Sequence, residues 1–173
     1  MERYSQSSSA SPTLDEMPGT LVLDANLSIL VAVGLTKRDY IPKHKRLQGY
    51  DEIDFETVTR IIENSTKLVL TPNVLTETSN LINYIGEPIR SEVMSVFGRI
   101  INSTVEKVIE SRLAVQRPEY LRLGLTDAVL LALTQSLKGT LLTVDLGLYL
   151  AALDAGLEAI NYNHIKAQRP DYQ

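Results

Sequence analysis

Four acidic residues stand where the sequence is otherwise apolar. Asp24 closes the run "TLVLD", Glu77 lies within "LTPNVLTETSNLI", and Asp127 and Asp145 bracket "AVLLALTQSLKGTLLTV". Carboxylates gathered at neutral pH repel one another and raise their own pKa values unless a cation sits among them. If these four meet, they predict a metal ion. The chain has no cysteine, and its two histidines, His44 and His164, have no partner at metal-ligand spacing. Oxygen donors then favour a hard divalent ion, Mg2+ or Mn2+, over zinc. No serine sits in an elbow motif and no glycine-rich loop could cradle phosphates.

The elements that must position these acids are strands alternating with helices. "TLVLD" reads as a strand, and "NLSILVAVG" as a buried helix that Gly34 is expected to stop. After the connection "KRDYIPKHKRLQGY", the segment "DEIDFETVTRIIENS" sets Phe55, Val58, Ile61 and Ile62 on one helical face. "KLVLTP" is a second strand. Thr71 can cap and Pro72 can begin the next helix, which Gly86 and Pro88 end. A longer helix is expected from Pro88 to about Asn102 and another over much of Val105 to Val115. "LDAGLEAINYNHI" supplies a last helix end and a last strand. The alternation predicts an α/β domain over residues 20–165, three layers α/β/α with a mainly parallel central sheet. Residues 1–19, rich in serine, read as a flexible tail, and residues 166–173 as a C-terminal tail.

Element lengths decide where the acids finish. A helix from Thr126 to Leu137 advances about 18 Å, and a strand from Thr140 to Val144 returns about 16 Å. Asp127 and Asp145 should therefore share the edge at which strands end. Asp24 ends the first strand and Glu77 lies in the second turn after the second, so all four converge on the carboxyl edge, where open α/β sheets bind ligands. Each acid also has a plainer reading. Asp24 and Asp145 could cap helices, Asp127 could serve the dipole of its helix, and Glu77 could be solvated. Asp154 reads as solvent-exposed; Asn80, three residues past Glu77, could share its face or be a surface or buried hydrogen-bonding residue.

Composition narrows the partners. Seventeen basic against 21 acidic residues give a net charge of -4, so any nucleic-acid surface must be local. One stretch qualifies: Lys37, Arg38, Lys43, Lys45 and Arg46 oppose only Asp39, with Tyr40 among them. It is a solvated loop, or it grips phosphates through Lys43, Lys45 and Arg46 while Tyr40 stacks a base. No apolar run approaches the roughly 20 residues that span a bilayer. A soluble, cytoplasmic protein without a membrane partner is expected.

"LVLDANLSIL", "LTPNVLTETSNLI", "GLTDAVLLAL" and "LLTVDLGLYLAALDAG" together resemble the four acidic blocks of PIN-domain nucleases, in order and over Thr20 to Ile165. The resemblance implies that Asp24, Glu77, Asp127 and Asp145 are the catalytic, metal-binding set, with Asn26 and Thr143 as polar neighbours. Thr143, two residues before Asp145, would face the same side of a strand. The implied activity is hydrolysis of phosphodiester bonds in single-stranded RNA with Mg2+ or Mn2+. The chain's size resembles the toxin branch of the family, which implies an antitoxin partner or a homodimer. The alternative is a PIN-like module that binds RNA or protein without cutting. A phosphatase of the haloacid type would need an aspartate where Asn26 stands.

Overall fold

The computed structural model describes residues 19–172, and in it strands and helices alternate along the chain. In order these are β1 (Thr20–Leu23), α1 (Ala25–Thr36), a 3₁₀ helix (Arg38–Lys43), α2 (Glu52–Asn64), β2 (Lys67–Leu70), α3 (Pro72–Ile82) and α4 (Ile89–Ser103). They continue with β3 (Val105–Glu106), α5 (Ser111–Ala114), α6 (Tyr120–Leu123), α7 (Leu125–Leu137), β4 (Thr140–Thr143), α8 (Leu146–Asp154), β5 (Glu158–Asn161), α9 (Tyr162–Lys166) and a 3₁₀ turn (Pro170–Tyr172). The expected N-terminal tail lies, but for Gly19, outside the described residues. No described helix is long and apolar enough to cross a membrane.

The strands form one sheet in the order β3-β2-β1-β4-β5, every pairing parallel. Flanking helices complete the expected three-layer α/β/α architecture. Parallel strands covered on both faces read as continuous apolar runs rather than alternating ones. Leu21, Val22 and Leu23 of the central β1 accordingly are all buried. Strand order runs outward from β1 in both directions, so the chain reverses between β1 and β4. Their carboxyl ends flank the topological switch point, the crevice in which such sheets hold ligands.

Four expectations need correction. Gly34 does not stop α1, which continues to Thr36. Its lack of a side chain serves packing instead: a Cβ there would lie 2.2 Å from Phe55 Cδ2, so glycine lets α2 approach. The helix expected over Val105 to Val115 is a two-residue edge strand followed by the short α5; pairing with β2 decides the conformation there. β4 ends at Thr143, so Asp145 stands beyond the strand as the N-cap of α8. Residues 166–172 are not a free tail, because Lys166 and Arg169 are buried and ion-paired to the start of α2.

Candidate active site at the switch point

Asp24 is the N-cap of α1. Its Oδ1 accepts the Leu27 N–H at 2.8 Å, and its Oδ2 accepts the Thr143 hydroxyl at 2.5 Å and the Val144 N–H at 3.1 Å. The capping reading thus holds for Asp24, and so does convergence, since the same carboxylate ties β1 to the end of β4. Burial pushes its carboxyl above the ordinary range against these three hydrogen bonds, and the charge of Asp145 adds to the push. Thr143, fully buried, links two acids: its hydroxyl donates to Asp24 and accepts the Asp145 N–H at 3.0 Å. Sequence placed these residues side by side through strand alternation; the structure does it through this shared hydroxyl.

Asp145 caps α8, with Oδ1 accepting the Leu148 N–H at 2.8 Å, while no described residue bonds its Oδ2. A Cβ at Gly147 would come within 3.1 Å of Asp145 Oδ1 and 3.7 Å of Leu123 Cδ2, so α6 lies alongside this carboxylate. The turn is held from the other side by Asn163, at the start of α9, whose Nδ2 donates to the Val144 carbonyl at 3.1 Å. Sequence reading missed Asn163. Its one signal was its place just beyond the last strand, at the same edge.

Asp127 occupies the first turn of α7, after Gly124, whose φ of 87° is a left-handed conformation suited to glycine. Half-buried and without a hydrogen bond to any described residue, its carboxyl is pushed up to about 7. Burial is the main cause, followed by the charges of Asp145, Glu77 and Asp24. Asp127 thus feels the charges of the other three acids, Asp145 most and Asp24 least. Glu77 reaches it from α3 and is itself exposed. Asn26 is half-buried in the first turn of α1. As the side chains stand, no three acids or histidines among the described residues close around one point as a metal cage.

The remaining candidates are elsewhere. Lys43, Lys45 and Arg46 are exposed; Lys43 lies over the Tyr40 ring at 5.4 Å and Arg46 over the Tyr84 ring at 5.7 Å. Tyr40 donates its hydroxyl to Glu92 at 2.8 Å, which fastens this segment to α4 rather than to the acids. His44 is fully buried, its Nε2–H donating to the Leu81 carbonyl at 2.9 Å and its Nδ1 accepting the Arg46 N–H at 3.2 Å. Burial lowers its pKa, and the ring is a structural clip. Asp154 is exposed, as expected, and Asn80 is exposed too, which rules out a buried hydrogen-bonding role for it. The chain matches no model of a known protein family and no curated protein, so the functional reading rests on the four acids and the edge that gathers them.

Proposed function

We propose that this protein is a metal-dependent hydrolase of phosphodiester bonds in single-stranded RNA, with its site at the β1–β4 switch point. The observation that carries the reading is Asp127, half-buried among three other carboxylates, held at a pKa near 7 and without a cation among the described residues to relieve it. Perturbed acids in a ligand-binding crevice mark functional sites. The donor set is all oxygen, which suits Mg2+ or Mn2+.

The residues divide the work. Asp127 and the open Oδ2 of Asp145 are the donors free to hold an ion, with Glu77 beside them. The ion, when bound, offsets negative charge at the phosphate and makes water a better nucleophile near neutral pH. The same ion would draw the Asp127 pKa back down, so Asp127 would serve it as an ionised carboxylate. Asp24, with both oxygens engaged, orients Thr143 and the turn that presents Asp145. Asn26 contributes an amide at the start of α1. No covalent intermediate is required.

The test is a time course on a mixed single-stranded RNA pool with Mg2+ or Mn2+, comparing wild type with Asp127→Asn and Asp145→Asn purified identically. Wild type should cut, and each variant should be slower by well over tenfold, a factor equivalent to about 1.4 kcal/mol of transition-state stabilisation. Variants that cut as fast as wild type would sink the assignment. The rival reading is an RNA-binding module that does not cut. Binding without cleavage by wild type, with either ion, selects it.

A further inference from the structure

The peptide that joins Val144 to Asp145 is held at both of its polar ends. Its carbonyl, on Val144, accepts the side-chain N–H of Asn163 at 3.1 Å, and its N–H, on Asp145, donates to Thr143 Oγ1 at 3.0 Å. The peptide before it is held as well, since the Val144 N–H donates to Asp24 Oδ2 at 3.1 Å. A peptide unit is planar and turns as one body. Pinning its oxygen and its nitrogen to different elements therefore fixes the direction in which the chain reaches Asp145. From there Oδ1 of Asp145 is committed to the Leu148 N–H at 2.8 Å, which sets the side chain and leaves Oδ2 open.

The pin on the carbonyl is not one that the sheet supplies. The ladder between β4 and β5 ends at the pair Thr143–Asn161, where β5 gives way to α9. Asn163 takes the place of a strand partner for the next carbonyl. It does so from a firm base, although a helix of five residues has little stability of its own. Asn161, buried, accepts the Asn163 N–H on its side-chain oxygen at 3.0 Å. Tyr162, fully buried, donates its hydroxyl to Asp54 Oδ1 at 2.7 Å, and Lys166 Nζ donates to Asp54 Oδ2 at 2.8 Å. One buried aspartate of α2 thus anchors the first and last residues of the helix that carries Asn163.

We infer that Asn163 is a positioning residue of the acid site: its amide fixes the Val144–Asp145 peptide so that the open Asp145 oxygen is aimed before a divalent ion arrives. This rests on the hydrolase reading above. In this role Asn163 acts through Asp145 and not on the ion or the substrate directly. Partners that orient a metal-binding side chain typically change affinity or activity by about 10–100-fold. Thr143 and Asp24 hold the same turn, so the loss on removing Asn163 belongs at the low end of that range.

Asn163→Leu removes the donor at an exposed position, so the melting temperature in chelator should fall by no more than a few degrees. Affinity for Mn2+, read from the electron paramagnetic resonance of the free ion, should weaken about tenfold. Asn163→Gln keeps an amide donor and should bind Mn2+ nearly as well as wild type. Cleavage of the RNA pool by Asn163→Leu should reach half its maximal rate at a correspondingly higher Mn2+ concentration. A wild-type Kd for Mn2+ in Asn163→Leu would overturn the positioning role and leave the hydrolase standing, and so would a glutamine variant as weak as the leucine one. Wild type that binds Mn2+ but does not cut overturns the hydrolase alone, with the affinities of the variants still deciding Asn163; wild type that binds no Mn2+ overturns both.

Discussion

Asp127→Asn should make the metal-free protein more stable at high pH and leave it unchanged at low pH. The folded pKa of Asp127 is raised from 3.8 to about 7, so between these values the folded chain keeps a proton that the unfolded chain has released. The folded state then binds more protons than the unfolded one, and stability falls as pH rises through this window and levels off above about 7. Each tenfold change in an ionisation constant is worth about 1.4 kcal/mol, so the ionised carboxylate costs about 2–4 kcal/mol once the window is crossed. For a chain of this size that is roughly 5–15 °C in melting temperature. Asparagine keeps the shape and removes the charge. Thermal melts followed by circular dichroism at pH 4.5, 7 and 8.5 in chelator should show a gap between variant and wild type that opens with pH. Millimolar Mg2+ at pH 8.5 should close most of it by raising wild type alone. An offset that is constant across pH, or equal responses of both proteins to metal, would refute the electrostatic account of the site.

Three further outcomes follow from named side chains. Asp54→Ala strands Lys166 as a buried cation, while Arg169 keeps its pairing with Asp51, and should cost about 3–5 kcal/mol in urea denaturation; a loss below about 1 kcal/mol would mean that water replaces the carboxylate. Thr143→Val removes an acceptor from the Asp145 N–H and a donor from Asp24, so it should cost about 1–3 kcal/mol and slow RNA cleavage more than tenfold, while Thr143→Ser should retain most of both. Replacing Lys43, Lys45 and Arg46 together with alanine should weaken RNA binding and reduce the slope of log affinity against log salt by up to about 2, roughly 0.7 for each phosphate that is no longer neutralised. An unchanged slope would return this stretch to the role of solvated loop.

What could be read in the sequence was what depends on neighbours along the chain. The Thr71 cap, Pro72 in the first turn and the out-and-back lengths of α7 and β4 are local, and they sufficed to bring Asp24, Asp127 and Asp145 to one edge. Strand order is not local, so the switch point between β1 and β4 was out of reach. Val105–Glu106 is too short to show a period, and only its pairing with β2 makes it a strand. Gly34 carries the local signature of a helix stop, but the ring of Phe55 explains it. Lys166 and Arg169 resembled a polar tail because Asp54, which draws them inward, lies more than a hundred residues earlier. Asp145 could be read as a cap or as a site residue, and the structure permits both, since one oxygen caps α8 and no described residue bonds the other.

Asp54, fully buried, and Asp127, half-buried, argue the same point from opposite sides. Removing a carboxylate from water is costly, and the usual remedies are cations and hydrogen bonds arranged around it. At Asp54 the chain supplies all of them: lysine, arginine, a tyrosine hydroxyl and a backbone N–H. At Asp127 it supplies none among the described residues, and it adds three carboxylates that make ionisation harder. A sequence that neutralises one buried aspartate so completely has the means to neutralise another. Leaving Asp127 uncompensated sacrifices stability at the position where strand order opens a crevice, a local conflict of the kind that folds tolerate where function requires it. What would resolve the conflict is a cation from outside the chain, brought by solvent or held with a substrate. Hence the metal response of Asp127, more than any resemblance of sequence, is the measurement on which the hydrolase reading depends.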